Sequence, residues 1–499
     1  MMKKIIAAVL TASLMLVMIT AMDINPERLD EDVIFVDEEE FDEQALYDEL
    51  FDLNSVVQID IDIAKDELKK IQQDYEYYSL RNSKSPIYRK AKSVTFTVNG
   101  KKYVIEEVGI RMKGSTSRAN FYNDVLGIYN LVNFKLSFTQ TFDNANYYSV
   151  DAKTWKDEAE REKRKNRTFA TMDRLEVKWN LTADNTYTRT IYMHELFRDY
   201  GIPTQQCALA DYRIGGCKMG LCRIFEPIDE EFLHKYIPEE DWGGDLYKVR
   251  CTDQSPATYS IYNTYGINKK NDGLFYNFDL KTNQETTQHE SMKRLLEVIN
   301  KEGVTKEELE AVVDTDEFAL FCAINFITGN QDDIRNNYNN HYIYFRQSDG
   351  KAVFIPYDLE ICLGDTYSWD PSGSSLTAES PYADYNYRFN THQENEIIRQ
   401  TVLKDGYFVD QYTQWLRVLN DSKWMTEEHY LTYYNILKAN YSDKVISPYN
   451  FLSTMGQNTE FSMEGGAQCN GNLSIEKFMT KMKANVSHYI DTNETEQKG

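Results

Sequence analysis

The chain has no surplus of positive charge, no closely spaced cysteine pair, no internal repeat and no long apolar run after its first 21 residues. Each gap excludes something. Lys and Arg number 55 against 79 Asp and Glu, a formal net charge of −24. A chain this acidic is neither a general nucleic-acid binder nor attracted to an anionic membrane. Its charge suits partners that are basic, or phosphates already paired with a metal ion. The seven cysteines are Cys207, Cys217, Cys222, Cys251, Cys322, Cys362 and Cys469, and no two have CxxC spacing. They read as small buried apolar side chains rather than zinc ligands. With no later run of about 18 apolar residues, no second segment is expected to cross a membrane.

Apolar residues make up 41% of the chain, with 36 Tyr and 24 Phe, enough for a large core. Residues 1–21, MMKKIIAAVLTASLMLVMITA, place two lysines before an apolar stretch and small residues near its end. That is the pattern of a secretory signal peptide. No cysteine follows it to take a lipid, so membrane attachment is expected only through a retained signal anchor, and the localisation read from it is secreted or cell-surface. Residues 22–52 are strongly acidic and read as a charged linker. A folded unit is expected over 53–485, with a polar tail at 486–499.

Alternation at Val57, Ile59, Ile61 and Ile63 predicts a strand followed by a helix. Asn99-Gly100 predicts a hairpin turn, and Gly215-Gly216 a second. NFKLSF is a further strand, and two helices precede a strand pair at HYIYF and VFIPYDLE. The stretch from about Asp405 onward reads as mainly helical. Strands first and helices later give an α+β fold with two unequal lobes, 53–250 and 251–485.

Three groups of residues could carry chemistry. The first is GNQDDIRNNYNNHYIYF with FIPYDLEICLG. Asp332 or Asp333 lies in a loop after a helix, Asn340 leads into one strand, and Asp358 ends the next, with Glu360 two residues on. A loop acid, an Asn and a strand-end acid are what phosphoryl transfer needs. One carboxylate orients or deprotonates the attacking hydroxyl, while Asn and a second carboxylate hold Mg²⁺ or Mn²⁺ as hard oxygen ligands. Singly, each has an ordinary use in turns and caps. An acid in a run of β-formers, as at Asp358, is less ordinary. The second group is GIRMKGSTSR, where Arg111, Lys113 and Arg118 flank a turn of Gly114, Ser115, Thr116 and Ser117 whose backbone amides could face phosphate. The third is a pair of lysines within strands, Lys135 in NFKLSF and Lys248 in DLYKVR, with Glu226 as a carboxylate partner for Lys135.

Taken together and in order, GIRMKGSTSR, NFKLSF, DYRIGGCKMGLCRIFEPIDEEFL, DLYKVR, GNQDD…NNHYIYF and FIPYDLEICLG resemble the spore coat protein H (CotH) kinase family. The resemblance implies a divergent, atypical protein-kinase-like fold. It pictures a β-rich N-terminal lobe, a mainly helical C-terminal lobe and a short acidic β-hairpin at the cleft. It implies ATP and Mg²⁺ or Mn²⁺ as cofactors, and Ser/Thr of extracellular or coat proteins as acceptors. Carried over, Asp332 is the catalytic acid, with Asp333 as the adjacent choice. Asp358 holds the metal with Asn340 and Glu360. Lys135 is the nucleotide lysine, and Arg111, Lys113, Gly114, Ser115 and Ser117 form the phosphate turn. Glu226 and Lys248 carry over more loosely. Departures are Tyr357 in a Pro-Trp-Asp motif and Glu360 in place of a second Asp. They leave open a binding or adhesion protein on the same fold. A two-carboxylate glycosidase is a third reading, in which the basic turn has no task.

Overall fold

The computed structural model describes residues 33–498 except 82, 115–117, 124, 126–127, 181–183, 252–255, 262–275, 367–373, 384–395, 404, 447–459 and 465–472. The expected signal peptide, Ser115, Thr116, Ser117 and Cys469 lie outside the described residues.

In chain order the first strands are β1 (Val33–Phe35), β2 (Val57–Asp62), β3 (Arg89–Val98), β4 (Lys101–Lys113), β5 (Tyr122–Asn123) and β6 (Ile128–Tyr129). Then follow β7 (Asn133–Ser137), β8 (Arg174–Trp179), β9 (Cys207–Ile214) and β10 (Cys217–Phe225). The last four are β11 (Leu246–Val249), β12 (Phe278–Leu280), β13 (His341–Phe345) and β14 (Ala352–Pro356). The first large sheet runs β1-β4-β3-β2-β9-β10-β8-β7, and β7 also pairs with β4. The ladder therefore closes on itself: β4 gives residues 101–110 to β3 and residues 109–113 to β7. Closure pairs β4 with both β3 and β7 only at Gly109 and Ile110, and passes its last residues, Arg111–Lys113, to β7. Inside lie Ile59, Ile61, Val94, Phe96, Ile105, Phe134 and Leu175, all fully buried.

The second sheet has the order β12-β11-β13-β14, all antiparallel. The helix Thr315–Ile327 packs beside β14, with Phe318 and Phe321 against Phe354. Beyond its acidic first turn, with Asp316 and Glu317, every residue of this helix from Phe318 to Ile327 is buried, as a helix within a core must be. The helix Glu427–Tyr441 reaches back to the first sheet, where the Tyr441 hydroxyl accepts from the Val57 amide at 2.9 Å and donates to the Leu209 carbonyl at 2.8 Å. Among the described residues no helix is long and apolar enough to cross a membrane.

Three expectations about extent need correction. Residues 33–51, read as linker, are folded onto the sheet. β1 pairs in parallel with β4, and Leu46, Tyr47, Leu50 and Phe51 of the helix Glu43–Phe51 are buried. Acidic side chains there have cationic partners: Asp37 meets Arg167 at 2.7 Å. The tail at 486–499 is instead the end of the helix Ile475–Lys498, with Val486 and Ile490 buried. The division at 250/251 falls one strand late, because β11 belongs to the second sheet.

Candidate active site at the seam between the two sheets

One face of the first sheet gathers charge. β8 alternates Leu175, Val177 and Trp179 toward the core with Glu176 and Lys178 on the opposite side. Pairing register then sets neighbours across strands. Lys135 of β7 lies opposite Glu176 of β8 and opposite Arg111 of β4, and Lys178 lies opposite Arg223 of β10. Directly opposed side chains on one face of a sheet interact. Lys113 donates to Glu176 and, at 2.7 Å, to the Tyr357 hydroxyl, and Lys135 lies 4.0 Å from Glu176.

The other side of the seam is built from the loops flanking β13 and β14. After the helix Thr315–Ile327 the chain turns at Gly329, with φ of +68°. A Cβ there would sit 2.6 Å from the Ser375 carbonyl, so only glycine fits. Asn330 then caps the Asp332 amide at 3.1 Å. The Asp332 carboxylate accepts from the side-chain amides of Asn337, of Asn339 at 3.1 Å and of Asn340 at 2.8 Å. The Asn340 carbonyl in turn accepts from the Tyr357 amide at 3.1 Å. One asparagine thus ties the Asp332 loop to the residue preceding Asp358.

Asp358 does not end the strand. β14 stops at Pro356, and Asp358 sits just beyond it with φ of +58°. Such backbone costs of order 1–3 kcal/mol in a non-glycine residue and persists where surroundings enforce it. The Asp358 side chain is held by the Lys178 ammonium, 3.0 Å from Oδ1. Burial would raise the Asp358 carboxyl, but Lys178 and Lys113 hold it below its ordinary value. Its side chain is still 38% exposed, whereas Lys178 is 3% exposed, so the carboxylate keeps a side open to a ligand.

Burial pushes Lys113 down to about 8 and, together with Arg174, Lys135 down to about 7. It pushes Lys248, 3.6 Å over the Tyr357 ring, well below the lysine range. Burial acts on Glu176 in the opposite sense, yet Lys113, Lys135 and Lys178 hold it well below the usual carboxylate range. Four lysine side chains thus surround two carboxylates, Glu176 and Asp358. An anionic ligand would relieve that imbalance.

The expected residues divide. Asp332, Asn340, Asp358, Lys113, Lys135 and Lys248 are brought to the seam. Asp333, the adjacent choice, is bonded within its own loop. It is buried, and its Oδ1 accepts from the Arg335 and Asn336 amides at 3.0 and 2.8 Å and from the Asn336 side chain at 2.9 Å. It holds the loop's shape. Glu360 is buried against Arg223 at 3.2 Å rather than offered beside Asp358, because the left-handed turn at Asp358 breaks the strand alternation that would have aligned them. Glu226 does not serve Lys135. It is fully buried beside Lys235 at 2.8 Å and the Tyr236 hydroxyl at 3.1 Å, and Glu176 takes its expected place. Arg111 grips the Ser85 carbonyl at 3.0 Å and covers the Tyr88 ring. Gly114 has φ of +118°, which suits a turn only glycine makes easily. Sequence reasoning missed Glu176, Lys178 and Arg223. The signal was RLEVKW, whose charges alternate with apolar residues as in NFKLSF.

The CotH kinase protein family model matches residues 110–456. The chain belongs to the CotH kinase family. That membership brings a mixed α/β, atypical kinase-like fold, a kinase function, and ATP with a divalent ion as the reagents kinases use in general. No curated protein matches the chain. Among solved structures, the Helicobacter pylori proinflammatory kinase CtkA is similar at 11% identity, over 54% of this chain and 87% of that one, with a TM-score of 0.23. So low a TM-score adds nothing to the family assignment.

The donor set fits a metal-nucleotide. Asp358, Asn340 and Asp332 supply hard oxygen atoms of the kind Mg²⁺ and Mn²⁺ take. The lysines opposite supply the charge a polyphosphate needs.

Proposed function

We propose that this CotH-family chain is a secreted atypical kinase, dependent on ATP and a divalent metal, that phosphorylates Ser or Thr of extracellular or coat proteins. The observation that carries the reading is the linkage of Asp332 through Asn340 to the Tyr357-Asp358 turn, facing buried lysines. When bound, the metal ion would neutralise charge on the phosphates. Asp358 and Asn340 would hold it. Lys113, Lys135 and Lys248 bind and orient the phosphate chain. Asp332, fixed by three asparagine amides, accepts the hydroxyl proton of the acceptor residue. Tyr357 and Phe225 exclude water from the floor of the site. The lysine-led apolar segment at 1–21 supports export, and the net charge of −24 supports a basic acceptor protein.

The test is label transfer from γ-labelled ATP with Mn²⁺ or Mg²⁺ to a generic basic protein, with Asp358→Ala and Asp332→Ala alongside. Transfer that both substitutions abolish supports the reading. No transfer and no metal-dependent nucleotide binding would move the choice to a binding or adhesion protein on the same fold. Phosphoamino-acid analysis of the product decides the Ser/Thr assignment.

A further inference from the structure

Lys178 has an unusual position for a lysine. Its side chain is 3% exposed and lies 4.6 Å from the centroids of both the Phe225 and Tyr357 rings. Its hydrogen bond is to Asp358, at 3.0 Å. The other acids nearby are already committed: Glu176 to Lys113 and Lys135, and Glu360 to Arg223. A cation that drew the Asp358 carboxylate to itself would leave the buried ammonium without its hydrogen-bonded partner, near only Glu360 and Glu176, which are bonded to other cations. An unpaired buried charge of this kind is strongly unfavourable. The strain changes sign if the incoming ligand carries its own negative charge, because the ammonium then exchanges a carboxylate for a phosphate oxygen.

We propose that Lys178 is a gate on the metal site: it occupies Asp358 as a built-in counter-ion and yields it only to a metal ion that arrives with an anionic phosphate ligand. The inference rests on the reading of Asp358 as the metal-holding carboxylate. It assigns Lys178 the role of positioning residue. Its consequence is that the free divalent ion binds poorly and that metal and nucleotide bind together. The enclosing rings favour this behaviour. Phe225 and Tyr357 offer the ammonium ring faces, and the Tyr357 hydroxyl already accepts from Lys113, so a lysine that loses Asp358 keeps mainly the weaker ring contacts.

The experiment is calorimetry on the full chain with MnCl₂ alone and MnCl₂ with ADP, for the wild type and for Lys178→Met, Lys178→Gln and Lys178→Arg, with thermal unfolding of each. The uncharged Met and Gln variants should bind Mn²⁺ alone about 10-fold or more tighter than the wild type. The same two variants should bind ADP with Mn²⁺ more weakly than the wild type. The Arg variant, which keeps the charge, should remain gated. A wild type that takes up Mn²⁺ alone as tightly as with ADP overturns the gate, and this needs no variant to fold. So does a folded Met or Gln variant with no gain for Mn²⁺ alone. A wild type that binds Mn²⁺ with ADP while the variants gain nothing removes the gate and leaves the kinase site standing. A wild type that binds neither removes both.

Discussion

The two sides of the seam carry charge in different ways. On the sheet side, Lys113, Lys135, Glu176 and Lys178 belong to three adjacent strands, and cross-strand register alone makes them neighbours. On the loop side, Asp332, Asn340 and Asp358 lie within 27 positions of one another and are held by turns, with positive φ at both Asn340 and Asp358. The sheet side is buried, with Lys113 and Lys135 sharing Glu176 and Lys178 reaching across to Asp358. The loop side keeps Asp358 partly open. The difference suggests a division of labour. Loops on a rigid scaffold place the groups that act on substrate, and strands supply the preformed field around them.

That division is broken most directly by the acids. Asp358→Ala and Asp332→Ala should each reduce phosphate transfer by roughly 1,000-fold or more, and each should also lower stability, because Lys178 loses its carboxylate in the first and three asparagine amides lose their acceptor in the second. Initial rates with labelled ATP, set beside unfolding curves, measure this. If either variant keeps a tenth of wild-type transfer, the loop side does not hold the acting groups.

Glu176→Gln tests the sheet side, and there stability should suffer. The carboxylate is buried among Lys113, Lys135 and Lys178, and neutralising it should cost about 3 kcal/mol. The sign with pH follows from its depressed value. Its contribution is fully present above the unfolded-state value of 4.5 and fades as pH falls toward the lower folded-state value. The gap between wild type and variant in denaturant titrations should therefore shrink on acidification below about pH 4.

The loop side has its own structural acid, and Asp333→Asn separates it from Asp332. Burial raises Asp333 from 3.8 to about 6. Protons bind the folded form more strongly between those values, so the wild type loses stability as pH rises from about 4 to 6. Relative to the Asn variant, which has no such titration, that loss should be about 3 kcal/mol. Transfer activity should survive, in contrast to Asp332→Ala.

What could be read in advance followed the same line. The loop motif GNQDD…NN and PYDLE lies compactly in the chain, so its acids were recognisable, as were the hairpins at Asn99-Gly100 and Gly215-Gly216. Which of two adjacent aspartates is spent on the turn depends on amide positions that no sequence pattern records. The sheet side was half visible. Lys135 stood out in NFKLSF, but its partner is 41 positions away on β8, and register rather than spacing selects Glu176 over Glu226. The acidic run at 33–51 misled for a related reason. Its apolar residues Leu46, Tyr47, Leu50 and Phe51 have helical spacing, but charge dominated the composition.

A smaller effect concerns the lysines themselves. Lys135 at about 7 and Lys113 at about 8 are cationic below those values and lose charge as pH rises through them. The KM for ATP should therefore rise several-fold between about pH 7 and 9 at constant metal, an effect of about 1 kcal/mol in binding. A flat profile would mean that the two lysines have the same proton occupancy in the free and nucleotide-bound protein, and so do not contact the phosphates as charged groups.

The smallest effect on nucleotide is expected from Glu226→Gln, and it tests the comparison at its least obvious point. Glu226 follows β10 and is as deeply buried as Glu176, yet its partners Lys235, Tyr236 and, through Tyr236, Tyr47 at 2.8 Å all lie away from the lysines of the seam. Removing its charge should cost about 1–3 kcal/mol of stability by loosening the contact between the helix Glu43–Phe51 and the helix Glu230–Tyr236. The KM for ATP should stay within about twofold of wild type, because 1.4 kcal/mol would be needed for a tenfold change and no seam lysine loses a partner. A KM that rises several-fold instead would make Glu226 the true partner of the nucleotide lysine. The strand pairing that sets Lys135 against Glu176 would then be a resting arrangement rather than the working one.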